Sequence, residues 1–436
     1  MARNSKSETT SAQAGGASDR TVRGGASHLR SDGTASGTDT QTGSGLAYRI
    51  KLLKTEEPAS FNSSMLTGIV LVLVVIGLVM VFSSSSVEEF ARGNALSTRF
   101  LRQGIFALIG IPLMLVASRI PTRFWSSSVA WLALFFAMVL QALVFTPLGV
   151  EVNGNRAWLN LGVITIQPAE FAKVALAIWL GMMITRKGEQ LRDLKNFVIP
   201  IGLPVAFVLG LALMGKDLGT VMVIGALVLG ALWFGGIRRA FIVGATAIAV
   251  GGAIFMAAVS PNRVARITSF FAGNCDYEGL CWQTSHGFYA LARGGVFGVG
   301  LGNSTAKWSW LPEADNDFIF AIIGEELGLI GGFVVILLIA AMGIMMLRVW
   351  KESVSPAGRV ITGAIFSWFI FQAFVNIAVV LGLLPVLGVP LPLLSSGGSA
   401  LLTSLLAIGI VLSVCRETAK HDSEVAHRQP TARKTR

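Results

Sequence analysis

Ten apolar stretches, each long enough to cross or nearly cross about 30 Å of hydrocarbon as a helix, dominate this chain. They run Met65 to Phe82, Gln103 to Ser118, Phe124 to Pro147, Ile164 to Thr185, Asn196 to Met214, Leu218 to Gly236, Ala240 to Val259, Phe318 to Leu347, Val360 to Leu384 and Leu393 to Cys415. Lipid offers no partner to a bare N–H or C=O, so such stretches have to satisfy their own backbones as helices. Hydrophobic residues make up 53% and charged residues only 14% of the chain, with a mean hydropathy of +0.67. An ordinary soluble domain carries roughly 25% charged residues. The expected fold is therefore all-α, a polytopic membrane protein with ten transmembrane helices.

Placing residues 1–64 in the cytoplasm returns the C-terminus to the same side after ten crossings. The inner segments then hold 25 of the 35 Lys and Arg residues, among them Arg186, Lys187, Arg192 and Lys195 in one loop and Arg238 with Arg239 in another. The net charge of +11 is spread over tails and inner loops, which suits topology and anionic lipid better than nucleic acid. Residues 1–64 are rich in Ser, Gly, Thr and Ala and read as a disordered cytoplasmic tail without a cleavable targeting segment. Residues 416–436 read as a second polar, basic tail.

Two outer loops have the length to carry function. The shorter, near Gly149 to Thr165, contains an Asn-Gly turn and Trp158, a residue suited to the interface. The longer, residues 260–317 between the seventh and eighth helices, holds Arg263, Arg266, Gln283, His286, Arg293 and Lys307. A long loop in a compact protein is usually functional. It ends in Leu311-Pro312-Glu313-Ala314-Asp315-Asn316-Asp317, three acids against the start of an apolar helix. One acid would serve as an N-cap; three exceed that need. Glu325 and Glu326 follow inside the apolar run, and such groups are costly in hydrocarbon, so a polar cavity opening to the outer face is expected.

Within the fourth stretch, Glu170 and Lys173 stand three apart and share a helix face. They are either an ion pair that fixes packing or a pair lining a cavity, and the cavity reading is favoured. Asp217, between two stretches, reads mainly as a helix cap. Cys275 and Cys281 lie in the long outer loop, where compartment and spacing permit a disulfide, and Cys415 ends the last stretch. A metal site there is the weaker alternative, since His286 is the only His of four outside the tails. The same scarcity argues against a Ser-His-Asp hydrolase.

Taken in order, Asn153-Gly154 with Arg156 and Trp158, Gln167-Pro168-Ala169-Glu170-Phe171-Ala172-Lys173, Asp217-Leu218-Gly219-Thr220, Gly294-Gly295 to Lys307, Leu311 to Glu326 and Leu391-Pro392-Leu393-Leu394-Ser395-Ser396-Gly397-Gly398-Ser399 resemble the SEDS family of FtsW and RodA over residues 65–415. HGFYALARGG, NDFIFA and the stretch ending at Pro385 are more similar to the division branch, and the outer Cys pair and long N-terminal tail suit an actinobacterial version. This chain departs from the family pattern at Gly215-Lys216, His286-Gly287, Arg293 and Ser396, and none of these removes a carboxylate. The resemblance implies a cell-membrane enzyme at the division septum that polymerises lipid II into glycan strands with a class B penicillin-binding transpeptidase and other divisome proteins.

The chemistry agrees with the residues. Building a β-1,4 glycan from an α-linked lipid diphosphate takes a base for the acceptor hydroxyl and cations for the leaving diphosphate. By resemblance Asp317 is the base. Lys173, Arg263, Arg266, Lys307 and Arg156 are candidates for the diphosphate, because Arg and Lys bind phosphate through charge-assisted hydrogen bonds. Arg266 could instead snorkel to lipid headgroups. Glu170, Gln283 and Glu313 complete the expected substrate contacts. No cofactor is implied with certainty; a divalent cation between Asp317 and the diphosphate remains open, without a legible ligand cluster. The rival reading is a lipid II flippase, whose alternating access would also use intramembrane charges. A catalytically silent division scaffold is a third.

Overall fold

The computed structural model describes residues 58–428 apart from 92, 94–97, 153, 163, 260, 273–280 and 309. Residues 1–57 and 429–436, and with them most of the two tail assignments, lie outside that set. The helices are α1 (Pro58–Ala91), α2 (Thr98–Ala117) and α3 (Val129–Leu143), followed by strands β1 (Gly149–Val152), β2 (Asn155–Asn160) and β3 (Thr165–Ile166). After them come α4 (Pro168–Lys187), α5 (Leu194–Met214), α6 (Leu218–Phe234), α7 (Arg239–Val259), α8 (Pro261–Ala272), α9 (Trp282–Gly294), α10 (Ile319–Glu352), α11 (Pro356–Val380) and α12 (Gly398–Arg428).

All ten apolar stretches fall on helices. Seven of these helices are long and apolar enough to cross a membrane, and Val129–Leu143, Leu218–Phe234 and Arg239–Phe255 are shorter apolar helices. Burial sorts them. Along its most apolar window α4 is 89% buried, whereas α2 is 28% and α5 22% buried. The outer helices turn residues such as Leu108, Leu132 and Ile248 to the surroundings, an exposure that only a lipid solvent tolerates at this density. On a central α4, charges on a spanning helix meet protein instead of hydrocarbon.

The helix ends follow local chemistry. Pro168 opens α4 at a position where its missing N–H costs nothing, and Arg186 with Lys187 sits against the negative end of the helix. Asp217 caps α6, its side chain accepting from Thr220 N at 3.0 Å. Ser355 does the same for α11 through Gly358 N. At the other end α12 continues to Arg428, past the Cys415 boundary read from the sequence, because the residues after it keep helix-compatible side chains.

Two features correct the all-α expectation. The outer loop near Gly149 to Thr165 is a small antiparallel sheet of order β1-β2-β3, with Val150 opposite Trp158 and Leu159 opposite Ile166. Gly154, at φ +80°, supplies the left-handed turn that lets β1 fold back on β2. The fourth apolar stretch therefore begins as a strand, and its helix starts only at Pro168. In the longer outer segment, α8 and α9 replace what the sequence suggested was mostly loop.

The eighth apolar stretch is also not one continuous helix. Gly328, at φ +70°, breaks α10. The carbonyls of Glu325 and Glu326 are taken by the N–H groups of Val299 and Gly300, and Leu329 N donates to Gly295 O at 2.9 Å. A side chain at position 328 would collide with the backbone of Gly298 and Val296 at 2.4 Å, so the inserted segment requires glycine there.

Candidate active site

At the head of α10, residues Leu311 to Phe318 form consecutive turns, with Glu313 in the left-handed region and its carbonyl accepting from both Asn316 N and Phe318 N at 3.1 Å. The three carbonyls that follow are each held from outside the turn. Ser396 N donates to Asp315 O at 2.8 Å, Ser395 Oγ to Asn316 O at 2.7 Å, and Asn376 Nδ2 to Asp317 O at 2.8 Å. Gln372 Nε2 and Asn376 Nδ2 also hold the carbonyls of Pro390 and Val389. The Leu391 to Ser399 motif is therefore the clamp that fixes the acidic turn.

The acids of that turn have different surroundings. Asp315 is buried and accepts from Arg99 Nη1 at 2.7 Å, while Arg99 Nε reaches Glu89 at 2.9 Å. Asp317 is half-buried, and no hydrogen bond from a described residue reaches its carboxylate. Burial first, and then the negative charges of Glu313, Asp217 and Asp315, together push its pKa up from the ordinary 3.8 to about 7. Gly388 lies close by; a methyl group on it would come 3.5 Å from Asp317 Oδ2. An unpaired carboxyl poised near neutrality at a solvent-reached rim has the properties of a general base.

Glu170 and Lys173 form a buried ion pair at 2.8 Å. Lys173 Nζ also donates to Gln372 Oε1 at 3.3 Å and lies 4.4 Å from the centre of the Trp368 ring, and Thr403 Oγ1 donates to Glu170. Asp217 accepts from Gln167 Nε2 at 2.9 Å and from Thr220. The field of Asp217 reaches both Lys173 and Asp317, so groups from α4, α6 and the α10 turn share one polar region.

Glu325 and Glu326 have a different task from the one their sequence position suggested. Both are fully buried. Glu325 accepts from Ser304 Oγ, from Thr305 N at 2.9 Å and from Ala306 N; Glu326 accepts from Ser83 Oγ at 2.6 Å and from Lys307 Nζ at 3.3 Å. They staple the segment inserted at the Gly328 break. Lys307 Nζ is fully occupied in that network, donating also to Gly302 O at 2.6 Å. This internal role separates it from the diphosphate ligands expected from the sequence.

Arg156 donates from Nε to Val144 O at 3.0 Å and from Nη2 to Thr146 O at 2.9 Å, and so ties the small sheet to the end of α3. Its backbone presses on Gly215, where a Cβ would meet Arg156 O at 2.5 Å; this accounts for glycine at a position where the chain departs from its family pattern. Gln283 Nε2 donates to Pro312 O at 3.1 Å, which fastens α9 to the acidic turn, and Glu313 is exposed, accepting from Asn316 Nδ2. Arg263 and Arg266 lie on α8, with side chains outside the described residues. Cys281 is disulfide-bonded, and its expected partner Cys275 lies outside the described residues; Cys415 is a buried thiol. Among the described residues, no group of three or more His, Cys, Asp or Glu is placed to hold a metal ion.

Arg99, Gln103, Gln372 and Asn376 are absent from the sequence-derived site. Gln103 bonds the backbone of both Ser395 and Gly397, so it braces the same clamp. An amide within an apolar stretch is itself a signal of this kind, because hydrocarbon leaves it unsatisfied.

Residues 63–420 match the family model of the FtsW, RodA and SpoVE cell cycle proteins. A Mycobacterium tuberculosis protein named probable peptidoglycan glycosyltransferase FtsW is 34% identical over 354 residues, which cover 81% of this chain and 67% of that one. A protein of the same name from Trichlorobacter lovleyi is 36% identical, with 79% and 91% covered, and stage V sporulation protein E of Bacillus subtilis is 34% identical, with 81% and 96% covered. Among solved structures, a peptidoglycan synthase complex that coordinates polymerization and crosslinking aligns with a TM-score of 0.66 at 25% identity, covering 81% of this chain and 97% of that one. Thermus thermophilus RodA aligns with a TM-score of 0.60 at 23% identity over 81% and 96% of the two chains, a likeness of fold.

Proposed function

The chain belongs to the FtsW, RodA and SpoVE family of multi-pass membrane proteins, and we propose that it is a peptidoglycan glycosyltransferase that joins lipid-linked disaccharides into β-1,4 glycan strands at the division septum. The observation that carries the mechanism is the contrast at Asp317: a carboxyl that receives no hydrogen bond from the described residues, pushed up to about 7, on a turn whose backbone is clamped on three successive carbonyls. The clamp fixes where the base stands; the open carboxylate oxygens are where the proton of the sugar hydroxyl is taken up.

In this reading the seven long and three shorter apolar helices make ten crossings, and the acidic turn faces outward. Asp317 takes the proton of the acceptor sugar hydroxyl as that oxygen attacks the anomeric carbon of the donor. The bond from that carbon to the lipid diphosphate breaks, and the diphosphate leaves with the electron pair. It is a good leaving group, so a single carboxylate suffices, unlike the acid and base pair of inverting glycosidases. Lys173 contributes positive charge from the shared polar region, Glu170 fixes its position, and Arg263 and Arg266 of α8 take the leaving diphosphate. Gln283 and Glu313 border the sugars at the acidic turn. Cys275 pairs with Cys281 to shorten the outer loop.

The partner assignment follows the same path. A relative in fold works in a complex that couples polymerization to crosslinking, which supports a class B transpeptidase as partner of this chain. The test is polymerisation of purified lipid II by the detergent-solubilised full chain, alone and with that partner. Glycan strands on a gel are the expected product. Transfer of lipid II between leaflets of a vesicle, with no polymer formed, would replace the enzyme reading by the flippase.

A further inference from the structure

Beside the acidic turn, α9 and the turns after it enclose a cleft of about 260 Å³ that the polymerisation chemistry does not use. His286, Tyr289 and Arg293 line it from α9, Thr305 and Trp310 from the turns, and Glu325 from α10. Its rings are ordered. His286 lies on Trp282 at 4.0 Å between centres and 31° between planes, and Trp310 runs nearly parallel to both, 5.8 Å and 13° from His286, 6.0 Å and 20° from Trp282. Tyr289 meets His286 edge-on at 5.7 Å.

These rings are positioned yet open. His286 Nδ1 donates to the Trp282 carbonyl at 2.8 Å, which leaves Nε2 as the acceptor of the neutral ring. Arg293 is tied to Thr305 Oγ1 and stands 3.9 Å from Glu325 with half its side chain exposed. Trp310 is 54% exposed and Tyr289 63%. Trp and Tyr do anchor proteins at membrane interfaces, but anchoring needs neither a cleft nor a parallel stack with a guanidinium at its edge.

We propose that this cleft is a saccharide subsite that seats the acceptor sugar next to Asp317. The inference rests on the polymerase reading above and adds the seat of the acceptor. A pyranose ring presents an apolar face of C–H groups, which complements the negative face of an aromatic ring. Its hydroxyl groups meet His286 Nε2 and the Tyr289 hydroxyl, and an acetamido carbonyl accepts from the exposed part of the Arg293 guanidinium. The volume is that of one sugar unit rather than of a folded partner. Position supports the same occupant. Gly287 packs on Phe318, where an added Cβ would lie 2.8 Å from the ring, and Gln283 holds the Pro312 carbonyl. The helix that carries the stack thus abuts both ends of the turn bearing Asp317.

The test uses the full chain in detergent with two readouts. Saturation-transfer NMR with chitotetraose, a soluble oligomer of N-acetylglucosamine, reports binding, and gel analysis of lipid II products reports strand length. Wild type should show transfer to the sugar ring C–H protons. Trp310→Ala and His286→Ala should weaken binding at least tenfold and shorten the strands severalfold. Trp310→Tyr, which keeps a flat ring, should restore both, and Trp308→Ala, exposed but outside the cleft, should match wild type in both. Wild-type binding and strand length in both Ala variants would overturn the subsite, as would a wild type that polymerises lipid II but shows no transfer to the tetraose. Ala variants that lose only co-purification with the transpeptidase would overturn it in favour of a protein-docking face. A wild type that makes no polymer but binds the tetraose through Trp310 would sink the polymerase and leave the subsite standing.

Discussion

Asp317 and the Glu325-Glu326 pair lie within ten residues of each other at the same end of α10, and they are used in opposite ways. Every described contact of the two glutamates is with a donor: hydroxyls, backbone N–H groups and the Lys307 ammonium. Among the described residues none donates a hydrogen bond to the Asp317 carboxylate, and it is the backbone that is held. Buried charge saturated with donors is structure, because removing any partner leaves an uncompensated group. A carboxyl left unsaturated by the described residues, with its pKa moved to about 7, has the properties that the proposed general base requires. Three acids in one run of sequence look equivalent; their donors tell them apart.

The comparison breaks first at Asp317. Asp317→Asn keeps size and hydrogen-bonding shape but removes the base, so polymerisation should fall by roughly 100- to 10,000-fold while membrane insertion and melting temperature hold. Gel assays of lipid II polymerisation beside thermal melts in detergent check it. Near-normal polymer from this variant would move the base to Asp315 or Glu313.

Lys307→Met should show the reverse pattern. It strands Glu326 without its ammonium partner and should cost about 3 to 5 kcal/mol of stability, seen as a lowered melting temperature and poor recovery from the membrane. Adding Glu326→Gln should recover much of that loss. A stable, inactive Lys307→Met protein would instead assign the lysine to the substrate.

Glu170 and Lys173 fall between the two cases, paired like the glutamates but within the field that links them to Asp317. Either single removal should destabilise by a similar few kcal/mol, and replacement of both by apolar residues should restore folding but not polymerisation. A folded double variant with wild-type activity would reduce the pair to packing.

The smallest effect is on pH. The reaction needs the Asp317 carboxylate, so its rate should rise about tenfold per pH unit below 7 and flatten above it. Stability should run the other way. The unfolded chain releases this proton near 3.8 and the folded chain near 7, so the contribution present below pH 4 is lost as pH rises through 7. Asp317→Asn should remove both slopes; an unchanged stability slope in that variant would assign the titration to another group.

Much of this architecture could be read from the chain. The apolar stretches placed the helices, though the first and last run well past the boundaries read from the sequence, and the motifs around Glu170, Asp217 and Asp317 named the groups that the fold brings into one polar region. The small sheet escaped because four-residue and two-residue strands beside a turn carry too little periodicity to stand out. The break in α10 escaped because Gly328 in an apolar run looks like a packing glycine until another backbone segment is seen in its place. Lys307 and Arg156 were grouped with the diphosphate ligands because a cation in an outer loop advertises charge, whereas the local backbone carbonyls that occupy it, Gly302 for Lys307 and Val144 and Thr146 for Arg156, carry no sequence signal. Arg99 was passed over for a different reason: its partner Asp315 is 216 residues distant.

Sequence alone determined that this chain lives in a membrane and that its acids gather at one mouth of the bundle, since hydrocarbon penalises polar groups wherever they fall and the pattern of that penalty is one-dimensional. Tertiary structure decided which acid stays open. A carboxylate is quenched or kept by the donors within about 3 Å of it, and for Glu325 and Glu326 those donors come from α1 and the inserted turn, whereas α11 and the Leu391 to Ser399 segment hold the Asp317 backbone and leave its side chain alone.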